Sequence, residues 1–187
     1  MDFILTILLR NLSKTLRMKT LKIVLVVVAV LIVAFLGLGL FVPSYEYEGT
    51  VVVNASPEKC WTLFHDTTRM AQWLKGFQSL RLKKGQPDQP GAVYEIIIDD
   101  DDQRYVMSET LVEFVAPTKA AYVLDNDVLR SEYSYAFDGT TSTTIKARYK
   151  VTGNNVLWRS ILFLSKSYMS NSGQEQLDAF KKVAEQK

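Results

Sequence analysis

One cysteine, Cys60, and one histidine, His65, are all that 187 residues provide of those two types. A lone thiol excludes a disulfide framework, and together the two residues cannot build the regularly spaced Cys/His metal sites. Cys60, beside Trp61 in a segment expected to be helical, reads as a small buried hydrophobe rather than a nucleophile. Positive charge is also missing where a nucleic-acid binder would need it. Five bases (Arg10, Lys14, Arg17, Lys19, Lys22) and one acid (Asp2) precede Tyr45, leaving 17 basic against 19 acidic residues in the remainder. The basic balance of the whole chain therefore belongs to its leader, and nucleic acid is excluded as a partner.

A third absence is of any charge between Ile23 and Val42. At about 1.5 Å per residue a helix of that length crosses the roughly 30 Å hydrocarbon core of a bilayer. A cleaved signal peptide is the alternative, but its apolar region would be about 7–15 residues, and "GLGLFVPSY" offers no convincing small-residue cleavage site. We therefore expect a transmembrane helix over 21–42, behind a basic leader over 1–20. In the leader, Leu5, Leu9, Leu12 and Leu16 share one helical face with Arg10, Lys14 and Arg17 interleaved. That pattern suits an interfacial helix or an unordered leader equally. The bases lie before the span while Glu46 and Glu48 follow it, so the positive-inside rule predicts a cytoplasmic N-terminus and an extracytoplasmic domain. Only Pro43 and Ser44 separate the span from that domain, over 45–187.

Within the domain Tyr45, Tyr47, Gly49, Val51 and Val53 alternate with residues of a second face, which is strand periodicity. Ser56-Pro57-Glu58 then has the form of a helix start, with an N-cap serine, proline at the first helical position and an acid in the first turn. Two short helices are expected, about Pro57–His65 and Thr67–Leu74. Six strands follow, at about Phe77–Lys83, Ala92–Ile98, Arg104–Val115, Ala120–Leu124, Leu129–Phe137 and Thr143–Thr152, joined by short turns. The acidic tip Asp99–Asp102 lacks the spacing of a calcium loop and reads as a solvated hairpin end. A last helix, Val156 to Gln186, carries the core stripe Trp158, Leu162, Met169, Gly173, Leu177, Phe180 and Ala184. A second apolar face, Leu157, Ile161, Leu164 and Tyr168, exceeds what one-sided burial requires, and would close a cavity or touch lipid. The order describes an α+β domain, a curved antiparallel sheet of about seven strands covered by a long C-terminal helix.

The run "VNASPEKCWTLFHDTTRMAQWLKGF" resembles the first strand and helix of the SRPBCC superfamily, the START and birch-pollen-allergen type of helix-grip fold, and in particular its polyketide cyclase/dehydrase-like branch. Ala55-Ser56-Pro57-Glu58, Trp61, Asp66, Arg69 and Trp73 fall on that motif. "GAVYEI", "ETLVEFVAPTKAAY" and "FDGTTSTT" are similar to its later strand and turn motifs. The resemblance covers Tyr45 to the C-terminus and implies a helix-grip fold. It implies no single activity, since the superfamily includes lipid carriers, cyclase-type enzymes, chaperone-interacting modules and receptors. Rieske-type members bind iron through two histidines and a carboxylate, a set this sequence cannot supply.

Candidate acids, bases and orienting groups are His65, Glu95, Glu109, Arg130, Tyr133, Tyr135, Arg148 and Tyr149, and none of them forms a recognised triad. His65, at the end of the first short helix, reads as a cap or a solvated group. Glu95 and Glu109 lie in strands and would need a partner if they faced an apolar space. The alternation of Tyr133 and Tyr135, and of Tyr149 with its neighbours, fits sheet core or a cavity wall whose phenols orient an apolar ligand. We expect a ligand site formed by Trp73, Tyr94, Glu95, Tyr133, Tyr135, Tyr149, Ile161 and Tyr168, without metal or cofactor. The expected partners are a hydrophobic small molecule or lipid and the bilayer. The alternatives are a cyclase/dehydratase-type enzyme using a cavity carboxylate and a tyrosine, and a structural or interaction subunit of a membrane complex.

Overall fold

A computed structural model describes residues 2–100 and 103–186, with side chains from residue 19 onward. The leader's leucine face and Asp101 and Asp102 of the acidic tip lie outside the described side chains. Helix α1 runs unbroken from Asp2 to Phe41. Its segment Lys19–Phe41 is long and apolar enough to cross a membrane, and is almost wholly uncovered by the rest of the protein.

Strand β1 (Ser44–Val53) follows at once, then helix α2 (Pro57–His65) and strands β2 (Phe77–Lys84), β3 (Val93–Asp100), β4 (Gln103–Val115), β5 (Lys119–Asp125), β6 (Leu129–Gly139) and β7 (Thr143–Gly153). Helices α3 (Val156–Leu164) and α4 (Lys166–Ala184) end the chain. All seven strands form one curved antiparallel sheet in the order β1-β7-β6-β5-β4-β3-β2, the helix-grip arrangement. Consecutive strands pair as hairpins, except that β1 closes against β7 across the whole domain.

Local chemistry explains the start of α2: the Ser56 hydroxyl accepts from the Lys59 N–H at 3.4 Å, and Pro57 fills the first turn, where a missing N–H costs nothing. The second short helix expected at Thr67–Leu74 is only a 3-10 turn, Met70–Gln72. The Asp66 carboxylate accepts from both the N–H and the hydroxyl of Thr68, at 3.0 and 2.6 Å. That local turn competes with helix over the same residues.

The single C-terminal helix expected from Val156 divides at Ser165, whose N–H faces the carbonyls of Ile161, Leu162 and Phe163 and whose hydroxyl donates to Ile161 O at 3.0 Å. A serine that bonds back to the preceding turn bends a helix, and here the bend redirects the chain. The two pieces then have different neighbours. Helix α4 lies across β1, with Gly173, Leu177, Phe180 and Ala184 buried on the sheet. Helix α3 packs chiefly on α1.

Candidate functional site

The concave face is filled at one end and open at the other. At the filled end Trp61, Phe64, Phe137 and Phe180 pack edge-on, with ring centroids 5.4 Å apart for Trp61–Phe137 and 5.7 Å for Phe64–Phe180. Beyond Phe64 and Trp73 the concave face opens into a cavity of about 490 Å³, lined by the sheet, by α2 and the turn after it, and by Met169 and Gln176 of α4.

Register builds one wall of it. Tyr47 pairs with Tyr149, Tyr149 with Tyr133, and Tyr133 with Tyr122, so four strands place four tyrosines in one cross-strand row. Their rings stack along the row, with centroids 4.6 Å apart for Tyr47–Tyr149, 6.1 Å for Tyr133–Tyr149 and 5.4 Å for Tyr122–Tyr133. Gly173 lets α4 lie on this row, since a Cβ there would already stand 3.3 Å from the Tyr47 ring and 3.6 Å from that of Tyr149. Two residues along β6 from Tyr133, Tyr135 shares a hydrogen bond of 3.0 Å with the Tyr149 hydroxyl.

The neighbouring row holds Ser131, Leu124, Glu109 and Tyr94. Glu109 is buried, and the hydroxyl of Tyr133 donates to its Oε2. Burial pushes this carboxyl above its ordinary range, and the Tyr133 bond offsets only part of the push. Burial raises the Tyr133 phenol well above its usual value, as does the neighbouring Glu109 charge.

His65 reaches the same cavity. Its Nδ1 lies 2.9 Å from the Trp61 carbonyl and its Nε2 3.1 Å from the Tyr122 hydroxyl. A carbonyl only accepts, so Nδ1 carries the proton, and in the neutral ring Nε2 accepts from Tyr122. Burial pushes the ring pKa down, favouring that neutral form. The bond to Trp61 O is what a capping histidine makes, whereas the expectation of a solvated ring is corrected: the ring is half-buried and also reaches Tyr122 of β5. Trp73 lines the cavity too, and among the described residues its buried indole N–H has no acceptor.

Of the residues expected at a ligand site, Trp73, Tyr94, Tyr133, Tyr135 and Tyr149 line this cavity. Glu95 does not. It follows Tyr94 in β3, so it points to the opposite face, where Lys83 Nζ meets it at 2.9 Å. Ile161 belongs to α3, against α1 rather than the cavity, and Tyr168 is 71% exposed. Arg130 and Arg148 serve surface ion pairs with Asp125 and Glu48. Tyr47, Tyr122, Phe64 and Met107 were not foreseen. For the three strand residues, Tyr47, Tyr122 and Met107, the signal lies in register between strands, which no single strand reveals. Among the described residues, no three His, Cys, Asp or Glu side chains converge as a metal site would require.

The family model described as "Polyketide cyclase / dehydrase and lipid transport" matches residues 45–185. The chain belongs to this family. No curated protein sequence matches it. Among solved structures, this polyketide cyclase/dehydrase-family domain is similar to the di-domain ARO/CYC BexL, with 15% identity, a TM-score of 0.62, and coverage of 78% of this chain and 51% of that one. It thus spans about half the length of that di-domain protein. It is also similar to the Zhui aromatase/cyclase from Streptomyces sp. R1128 (14% identity, TM-score 0.61, 76% and 94% covered) and to Ara h 8.0201 (12%, 0.59, 75% and 97%). Likeness at such identities establishes the fold, and the family establishes a domain built around a ligand cavity.

Proposed function

We propose that the chain is a membrane-tethered binding or carrier domain for a hydrophobic small molecule, lipid-like in character, held between the sheet and α4. The observation that carries this reading is the cavity of about 490 Å³, walled mostly by aromatic and aliphatic side chains, with a few hydroxyls and amides, the carboxyls of Asp88 and Glu109, and the Trp73 N–H. Its size is that of a small-molecule site, and an apolar wall with few polar groups suits a ligand that is mostly hydrocarbon with one or two acceptors. Such a ligand concentrates in a bilayer, and the helix Lys19–Phe41 would hold the cavity beside it. The bases before Ile23 would keep the N-terminus cytoplasmic and the domain outside. Protease treatment of sealed spheroplasts should digest the domain, and protection until lysis would reverse the compartment. The full chain, purified in nanodiscs and extracted with organic solvent, should yield a stoichiometric hydrophobic compound by mass spectrometry. Empty preparations that also fail to take up fluorescent lipid would overturn the reading.

Glu109 and Tyr133 support a second reading, a cyclase/dehydratase-type enzyme. A carboxyl whose affinity for its proton is raised by burial, in contact with a phenol, is suited to donate a proton to a leaving hydroxyl inside the cavity. Turnover of a bound compound by the wild type, lost in Glu109→Gln with binding retained, would establish chemistry. The third reading, an interaction subunit, needs a cavity filled by its own side chains, and this one is open.

A further inference from the structure

Helix α3 is short, almost uncharged and incompletely covered. In "VLWRSILFL" the one charge is Arg159, whose Nε donates to Gly153 O at 3.0 Å, while Leu157 and Leu164 are 49% and 63% exposed. Its inner side meets α1 at a point of close approach. The Ser160 hydroxyl is fully buried, donates to Phe35 O at 2.6 Å and accepts from Gly39 N–H at 3.0 Å. A Cβ on Gly39 would stand 2.1 Å from Val156 O. A small residue that admits a neighbouring backbone, joined by a hydroxyl bond across the contact, is how helices associate within a bilayer.

Depth follows from where that contact falls. The charge-free part of α1 begins at Ile23, and its side chains are continuously free of protein cover as far as Ala34; residues 35–39 are partly covered where the helix meets α3, before Leu40 and Phe41 are exposed again. The free stretch is about 12 residues, or roughly 18 Å, against a hydrocarbon core of about 30 Å. If α1 spans, the remaining thickness has to include the turns that α3 covers.

We infer that α3 is a second membrane element, lying at the outer edge of the bilayer with Leu157 and Leu164 in lipid. This rests on the reading of α1 as a transmembrane anchor. The consequence for function is positional. The cavity end lined by Leu129 and Met169 packs against the cluster of Tyr45, Val151 and Leu162, which also includes Trp158 of α3. A helix sunk in the interface therefore points that end of the cavity at the lipid, and a cargo need not cross water to reach it.

Single nitroxide labels at Leu157→Cys, Leu164→Cys, Val28→Cys and Lys146→Cys in the full chain, reconstituted in phosphatidylcholine nanodiscs, test this. Cys60 is fully buried, and a mock-labelled wild type checks that it stays unlabelled. Power saturation should find positions 157, 164 and 28 more accessible to oxygen than to a water-soluble nickel chelate, and position 146, on exposed β7, the reverse. If 157 and 164 behave like 146 while 28 remains in lipid, the anchor stands and the inference on α3 fails. If 28 itself reads as water-exposed, the anchor reading fails and the inference falls with it.

Discussion

The two ends of the concave face are made by the same strands under the same alternation, yet one is solid and the other hollow. At the solid end α2 and the second half of α4 press Trp61, Phe64 and Phe180 onto Phe137 and Ile145 in one apolar cluster. At the hollow end the first half of α4 rides on a row of tyrosines, three of whose hydroxyls find polar partners: Tyr133 with Glu109, Tyr122 with His65 and Tyr149 with Tyr135. A tyrosine cannot be packed as freely as a phenylalanine, because its hydroxyl must be satisfied or left facing a space. The difference between core and cavity is thus written largely in hydroxyl groups and in where the short helices stop.

The sharpest way to break the comparison is to hollow the solid end. Phe137 is 1% exposed, and Phe137→Ala should cost about 3–5 kcal/mol in urea unfolding. Met107→Ala, on the cavity wall, should cost less than about 2 kcal/mol, since it enlarges a space that already exists. Equal losses would mean that the hollow end is as closely packed as the solid one.

Gly173→Leu attacks the boundary between the ends. With a Cβ already 3.3 Å from Tyr47, the added atoms must lift α4 off the tyrosine row or fill the cavity, at a cost of about 1–3 kcal/mol. Fluorescent-lipid uptake should fall together with stability. Unchanged uptake would show that the ligand does not use the space beneath α4.

The buried acid gives the comparison a pH dependence. Burial lifts the Glu109 carboxyl above its ordinary value of 4.5, so the folded form keeps a proton that the unfolded chain releases. The stability linked to it is complete below pH 4.5 and is lost as pH rises through the folded value. Glu109→Gln has no such group and should grow more stable relative to wild type as pH rises above 4.5. His65 works in the opposite sense: with its ring lowered below 6.5, the associated stability is full above that pH and lost as pH falls. His65 is present in both proteins, so its contribution cancels in the difference. Urea midpoints from pH 5 to 9 that run parallel would place Glu109 in contact with water.

What could be read in advance follows the range of the interaction. Strands announced themselves by alternation, and α2 by Ser56 and Pro57, because both signals are local. The tyrosine row could not be seen, because it depends on which residue of β1, β5, β6 and β7 faces which. Glu95 was placed at the site beside Tyr94, although neighbours in a strand cannot share a face. Choosing between them required the phase of β3, which its apolar run Ile96, Ile97 and Ile98 conceals. His65 gave no local sign of its role, since its partner Tyr122 is 57 residues away. The break at Ser165 was hidden for another reason: apolar spacing continues through it, while the helix divides where Ser165 bonds back to Ile161.

The smallest expected effect compares two acids that the sequence presents as alternatives. Glu95 and Glu109 lie on adjacent strands, and their neighbours pair directly, Tyr94 with Glu109 and Glu95 with Ser108. One acid is inside and the other outside. The Glu95 side chain is 28% exposed and that of its partner Lys83 53%, so the ion pair sits in water and is worth about 0–1 kcal/mol. Glu95→Gln should therefore shift urea unfolding by less than about 1 kcal/mol and leave lipid uptake intact. Glu109→Gln should differ on the pH measurement, and on any turnover that the cavity supports. A change in uptake on replacing Glu95 would mean that ligand is recognised from the convex side, and the cavity beneath α4 would lose its claim to be the site.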